Sequence, residues 1–356
     1  MNWRPVSRAT GSGRIGRGPF LRAAGPGGWP TNHRSDSTRV IRPLDPLDVF
    51  RSAVFGQRGM RNRAFTLGDL AGRRSLGLSL LGLSRKHLSP RAKDRAWVWS
   101  SGNRVMGVAS VRPRAGRRSW EVPALYIGST AKLAVSELLE RAATSAAAAG
   151  AERVFLRLRE DDEVISAARV GGFSPCMSET LYQGRSSGTN HGKAPLFDAP
   201  GRMRPMEPSD DYRLFRLYHA ATPASVRSLV AMTFDQWQAS REHSPGRSEQ
   251  RVFEREDVIR AWLGTSLGSG VGALSAMVHP DDNAVLPDIV SLGLRALSSA
   301  RTILCLVPEY QATLGDILEV CGFEPVEQFI TLVKASAKSS RFDDAVRSAL
   351  ASTESP

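Results

Sequence analysis

"RVFLRLREDDEVISAARVGGFSP" occupies residues 153–175, and "RTILCLVPEYQATLGDILEVCGFEP" occupies residues 301–325. Each begins with an apolar, β-branched run of strand length. Each continues through a polar break into a helix-length segment, and each ends in Gly-Phe, one residue, then Pro. A glycine at that point lets the chain leave a helix, because it enters the left-handed conformation at little cost. The following phenylalanine is then placed to enter a core. The same strand–helix–Gly-Phe unit thus occurs twice, 150 positions apart.

Working outward, the flanks repeat as well. Upstream of the first unit, "AWVWS" (96–100), "RVMGVASV" (104–111) and "WEVPALYI" (120–127) read as an antiparallel three-strand meander. A helix over 129–149 follows, with Leu133, Leu138, Leu139 and Ala142/Ala143 on one face, Ser129 or Thr130 able to cap it and Gly150 as its stop. A last strand covers 178–184. Upstream of the second unit, "QRVFER" (250–255), "VIRAWLG" (258–264) and "GVGALSAMVHP" (270–280) form the second meander. A helix over 284–297 tolerates Pro287 in its first turn, and the last strand covers 327–335. Both copies open alike, with "VIRPLDPLD" (40–48) and "RMRPMEPSD" (202–210). "DPLDVFRSAVF" and short segments within 56–92 are expected to be helical in the first copy, as are the three segments "DYRLFRLYHAA", "PASVRSLVAM" and "FDQWQAS" in the second.

This order implies an internal duplication of mixed α/β (α+β) class. Its parts are a Gly-, Pro- and Arg-rich disordered segment (1–37), a first domain (38–184), a polar Gly/Pro linker (185–201), a second domain (202–335) and a polar tail (336–356). The length of 356 residues agrees with two ordinary domains. "RATGSG" (8–13) matches a pyrophosphate-cradling pattern, but no strand precedes it and no helix follows, so it reads as chance.

Composition narrows the function classes. There is no apolar run of membrane-span length and no apolar signal-peptide core, so a soluble cytoplasmic protein is expected. Three cysteines make no disulfide framework, and six dispersed histidines form no ligand-spaced pair, so no metal site is expected. The net charge of +13 is uneven. Residues 1–120 carry 24 Lys and Arg against 5 Asp and Glu, while the remainder carries 24 against 30. Without a helix-turn-helix or interleaved aromatic motif, this weighs towards a solvated arginine-rich surface and against nucleic acid.

The order of elements, carried by the two first-strand openings and the two Gly-Phe units, resembles the GCN5-related N-acetyltransferase family. The resemblance covers roughly 38–184 and 202–335, and implies two acyl-CoA N-acyltransferase-like domains in tandem. In that family the sheet splays between two parallel strands, acyl-CoA lies in the gap, and a glycine-rich turn before the long helix holds its pyrophosphate. The matching turn of the first copy reads "YIGSTAKLAV" (126–135). It lacks the usual glycine spacing, but Gly128, Ser129, Thr130 and Lys132 are its candidate cofactor-binding residues. In the second copy it reads "HPDDNAVLPD" (279–288), where Asp281 and Asp282 would repel an anion and instead suit a helix cap. The resemblance therefore implies acetyl-CoA in the first domain only.

The family also often places a tyrosine general acid four residues before the glycine of Gly-Phe. Here those positions are Ala168 and Leu318. The remaining catalytic candidates are Glu121 as a base, with solvent-facing strand residue as its other reading, Tyr126, with core-edge residue as its other reading, and Tyr182. Cys176 is a further reactive side chain, with buried hydrophobe as its other reading. Two functions stay open: acetyl transfer to a small-molecule or peptide amine, and a catalytically degenerate tandem that binds or scaffolds.

Overall fold

Gly172 and Gly322 have φ of +84° and +82°, and the chain around each makes the same two bonds. Phe173 N–H donates to Ala168 O at 3.1 Å and Phe323 N–H to Leu318 O at 2.9 Å, while each glycine N–H reaches back three residues. This is the Schellman ending, and it turns each phenylalanine inward. Both rings are buried, Phe173 in the core of the first half and Phe323 in that of the second.

The computed structural model describes residues 39–45, 48, 61–70, 95–101, 104–128, 132–185, 201–242 and 246–336. The expected disordered segment 1–37, the linker from 186 to 200 and the tail from 337 onward lie outside the described residues. So do most of "DPLDVFRSAVF" and residues 71–94.

The first half runs β1 (Arg39–Pro43), β2 (Arg61–Asn62), the one-turn α1 (Leu67–Leu70), β3 (Arg95–Ser101), β4 (Arg104–Pro113) and β5 (Ser119–Ile127). It continues with α2 (Lys132–Ala148), β6 (Arg153–Arg159), α3 (Val164–Val170) and β7 (Ser174–Gly184). The second half runs β8 (Arg202–Pro205), α4 (Asp211–Ala221), α5 (Ala224–Val230), α6 (Phe234–Ser240), β9 (Arg247–Arg255), β10 (Val258–Gly268) and β11 (Val271–Val278). After a 3-10 turn over Pro280–Val285 come α7 (Leu286–Ala296), β12 (Thr302–Pro308), α8 (Ala312–Val320) and β13 (Glu324–Ala335). The expected short helices within 56–92 are, where described, a two-residue strand and a single helical turn. Helix α3 starts at Val164 because Asp162 Oδ1 accepts the Val164 N–H at 2.9 Å, which leaves Asp161 and Asp162 ahead of the helix.

Among the described residues all strands join one thirteen-stranded sheet ordered β1-β3-β4-β5-β6-β13-β7-β12-β11-β10-β9-β8, with β2 pairing off β5. Read from either edge, the order presents equivalent strands, so the two halves are related by a pseudo-twofold at the antiparallel β13/β7 pair. The last strands are exchanged. β13 of the second half pairs with β6 of the first, and β7 of the first pairs with β12 of the second. Each half thereby covers the sheet edge the other would leave open.

Packing follows the same symmetry. α2 buries Val135, Leu138, Leu139, Ala142 and Ala146, spaced by three and four residues, against the first half of the sheet. α7 and α8 bury Ile289, Val290, Leu294, Leu314 and Leu318 against the second half. The opposite face of the second half carries α4 and α6 over Val252, Ile259 and Trp262.

Candidate active site

The parallel pair β5/β6 stays in register only from Ser119–Glu121 to Arg153–Phe155, then parts. The equivalent pair β11/β12 stays in register from Val271–Leu274 to Thr302–Cys305, then parts. Two gaps result, each beside the start of a long helix. Their contents differ.

The first gap is filled by residues 61–66. Asn62 takes the edge of β5: its Oδ1 accepts Leu125 N–H at 2.8 Å and its Nδ2 donates to Pro123 O at 3.1 Å. Arg63 N–H donates to Leu125 O at 2.9 Å, and Phe65 N–H crosses to Arg157 O on β6 at 3.0 Å. Ala64, Phe65 and Thr66 are buried, and the Phe65 ring stacks on Phe329 of the exchanged strand at 4.4 Å.

The residues expected to act in the first half fall around this filled gap. Glu121 is 6% exposed and faces the interior, where Arg112 Nε at 2.8 Å and Arg114 Nε at 3.2 Å engage both its oxygens. This corrects its reading as a solvent-facing strand residue. Tyr126 is buried among Val98, Val105 and Val108 on the meander. Gly128 is buried and donates its N–H to Met106 O at 3.0 Å. Ser129, Thr130 and the side chain of Lys132 lie outside the described residues, although Lys132 opens α2. Cys176 is half-buried, and burial together with Glu179 pushes its thiol up to about 12. Tyr182 does not join the others. The strand exchange carries it opposite Cys305 of β12, and its hydroxyl donates to Glu319 Oε1 at 3.2 Å.

A chain of buried charges runs beneath this region. Arg114 reaches Glu121 and, at 3.2 Å, Glu242; Arg157 reaches Glu242 at 2.8 Å and Glu179 at 2.7 Å. Thr331 Oγ1 of β13 donates to Glu179. Burial alone would raise the Glu242 carboxyl, but the Arg114 and Arg157 guanidiniums hold it well below the usual carboxylate range. The chain ties both halves together at the exchanged strands.

The second gap holds a cavity of about 110 Å³ lined by Ala276, Val278, Leu286, Leu314 and Tyr310. Among the described residues, no backbone hydrogen bond from another segment enters it. Tyr310, directly after β12, was not singled out from the sequence; its signal was a tyrosine two residues beyond the apolar strand run that ends at Pro308. Burial pushes its phenol up to about 12, against the lowering effect of a hydrogen bond with Thr222, so it keeps its proton at neutral pH.

The expected acidic caps also resolve differently. His279 Nδ1 accepts the Asp281 N–H, and Asp281 is exposed. Asp282 is buried and caps no helix; Arg255 at 2.7 Å and Arg260 hold its carboxylate. Two guanidiniums against one buried carboxylate leave this corner without net negative charge.

On the other face of β11 lies a second cavity of about 420 Å³, lined by Ser275, Ser266, Gln250, Arg241 and Trp262 among others. The Trp262 ring lies over Gly264, where an added Cβ would fall 2.7 Å from it, and its Nε1 donates to Gln250 Oε1 at 3.1 Å. Ala276 lines the first of these cavities and Ser275 the other, as alternation along a strand requires.

No family model matches the chain, and comparison with curated proteins finds no match. Among solved structures, a GCN5-related N-acetyltransferase from Sphaerobacter thermophilus aligns over 83% of this chain and 95% of its own, at 14% identity and a TM-score of 0.51. The fold is that of the GCN5-related N-acetyltransferases. It is present twice, in tandem. A tandem GNAT protein from the clavulanic acid biosynthesis pathway covers 84% of this chain and 98% of its own, at 14% identity and a TM-score of 0.47. A putative acetyltransferase from Pyrococcus horikoshii covers 87% and 94%, at 11% identity and a TM-score of 0.44. Ala168 and Leu318 are both buried, and each accepts through its carbonyl the N–H of the phenylalanine in its Gly-Phe turn. Among the described residues no His, Cys, Asp and Glu cluster could hold a metal, and no helix is long and apolar enough to cross a membrane.

Proposed function

We propose that the protein transfers an acyl group from acyl-CoA to an amine, and that the acyl donor enters the gap between β11 and β12. The observation that carries this reading is the contrast between the gaps: residues 61–66 fill the first, while the second keeps a cavity. The sequence favoured the first half because Asp281 and Asp282 face the second gap. Pairing of Asp282 with Arg255 and Arg260 weakens that objection.

The residues present fit a slender thioester arm. Ala276, Val278, Leu286 and Leu314 offer apolar walls, which favour the uncharged arm and exclude water. When bound, acyl-CoA supplies a thioester carbon open to direct attack by an amine. Tyr310 Oη, still protonated at neutral pH, would give its proton to the departing thiolate as the C–S bond breaks, and the tyrosinate would recover one from the amine nitrogen as the C–N bond forms. The amine approaches from the opposite face of β11, through the cavity floored by Trp262, so that donor and acceptor meet where β11 and β12 part. A small-molecule or peptide amine suits a cavity lined by Ser266, Ser275 and Gln250. Three cysteines without a disulfide suit the cytoplasm.

The test is thiol release from acetyl-CoA by the full chain across a panel of small amines and peptide N-termini, with thermal shift by acetyl-CoA in parallel. The reading expects a shift and amine-dependent release. No shift with acetyl-CoA and no release with any amine contradicts it.

A further inference from the structure

We infer that the first gap is occupied by an internal ligand, the chain's own residues 61–66, so that the protein takes one acyl donor per chain rather than two. The count rests on the reading of the parted strands as donor gaps; the occupancy does not. Parting two strands leaves backbone N–H and C=O groups along each inner edge, and such groups need partners when buried. An extended ligand with amide groups would pair with them. Here Asn62 does so with its side-chain amide, which accepts from Leu125 N–H and donates to Pro123 O as a peptide group would. Arg63 and Phe65 then donate to opposite walls, Leu125 O and Arg157 O, and so bridge the gap.

The segment is fixed at both ends. β2 pairs Arg61 with Ile127 and Asn62 with Tyr126. At the far end Asp69 Oδ2 accepts the Thr66 N–H at 2.7 Å and the Thr66 hydroxyl at 2.9 Å, while Glu242 Oε2 accepts the Leu67 N–H at 3.4 Å. Phe65 is packed with Leu181, Leu304 and Phe329, residues from both halves and the exchanged strands. An arm entering between β5 and β6 would have to displace buried side chains as well as these bonds. In the second half the helical segments α4 to α6 precede the meander, and, among the described residues, none sends a backbone bond into its gap.

Hydrogen exchange on the full-length chain tests the occupancy, with native mass spectrometry in the presence of CoA testing the count. The Arg63 and Phe65 amides are expected to exchange at least ~1000-fold more slowly than in an unstructured peptide, unchanged by saturating CoA, with one CoA per chain. Exchange at the unstructured rate overturns the inference, whatever CoA does. Acceleration of these two amides by CoA, or two CoA per chain, also overturns it. Protected amides with no CoA bound uphold the internal ligand and sink the acyltransferase reading instead.

Discussion

Tyr182, on the last strand of the first half, stands in register with Cys305 of the second, and its hydroxyl donates to Glu319 at 3.2 Å. A residue of one half is thus built into the core of the other. Residues 38–184 expressed alone lack β13, which separates β6 from β7 in the intact sheet. That fragment is expected to show no cooperative thermal transition, and to regain one when mixed with residues 201–336. A sharp transition in the isolated fragment would contradict the exchanged architecture.

The two Gly-Phe turns give a matched pair of stability predictions. At Gly322 an added Cβ meets nothing within 4 Å, and at Gly172 it falls 3.3 Å from the end of Lys334, whose Nζ is held on Gly171 O, so the left-handed backbone is the cost the two sites share. Gly172→Ala and Gly322→Ala are each expected to lower stability in urea by about 1–2 kcal/mol. A neutral result at either site would show that the turn is not held at positive φ.

Much of this was legible in the sequence, for a physical reason. Meanders, helices and Gly-Phe endings are written in local periodicity and in the one residue that favours positive φ. The strand exchange was not legible, because β7 and β13 both read as last strands and nothing local states which neighbour each will choose. Residues 61–66 were invisible too. "RNRAFT" has no period, and its pairing partners Leu125 and Arg157 lie far along the chain. Of the site, the strand-to-helix corners could be located, but the pairing of Asp282 with Arg255 and Arg260, and the position of Tyr310 at the gap, depend on tertiary placement.

The buried charge chain predicts an acid-sensitive junction. Glu242 is ionised between Arg114 and Arg157, and its folded-state pKa lies below its unfolded value. Its contribution is therefore complete above pH ~4.5, the ordinary range for a glutamate, and is lost as pH falls from there towards the folded value. Glu242→Gln leaves two buried guanidiniums short of a partner, and is expected to cost about 3 kcal/mol at neutral pH. It should also flatten the loss of stability between pH 5 and 3. An acid limb as steep in the variant as in the native protein would remove Glu242 from this role.

Tyr310→Phe removes the phenol and keeps the ring. It is expected to lower kcat roughly 100-fold while leaving KM for the acyl donor near its native value. Because burial holds the phenol protonated up to about 12, this group should impose no falling limb on the native pH–rate profile below pH ~10. Unchanged kcat in Tyr310→Phe would take the proton-donor role from this residue.

The most direct test is a crystal structure of the full chain grown with saturating CoA. The account predicts density between β11 and β12, against Ala276 and beside Tyr310, with residues 61–66 unmoved between β5 and β6. Density beside Gly128, with Asn62 and Phe65 expelled from the first gap, would contradict it.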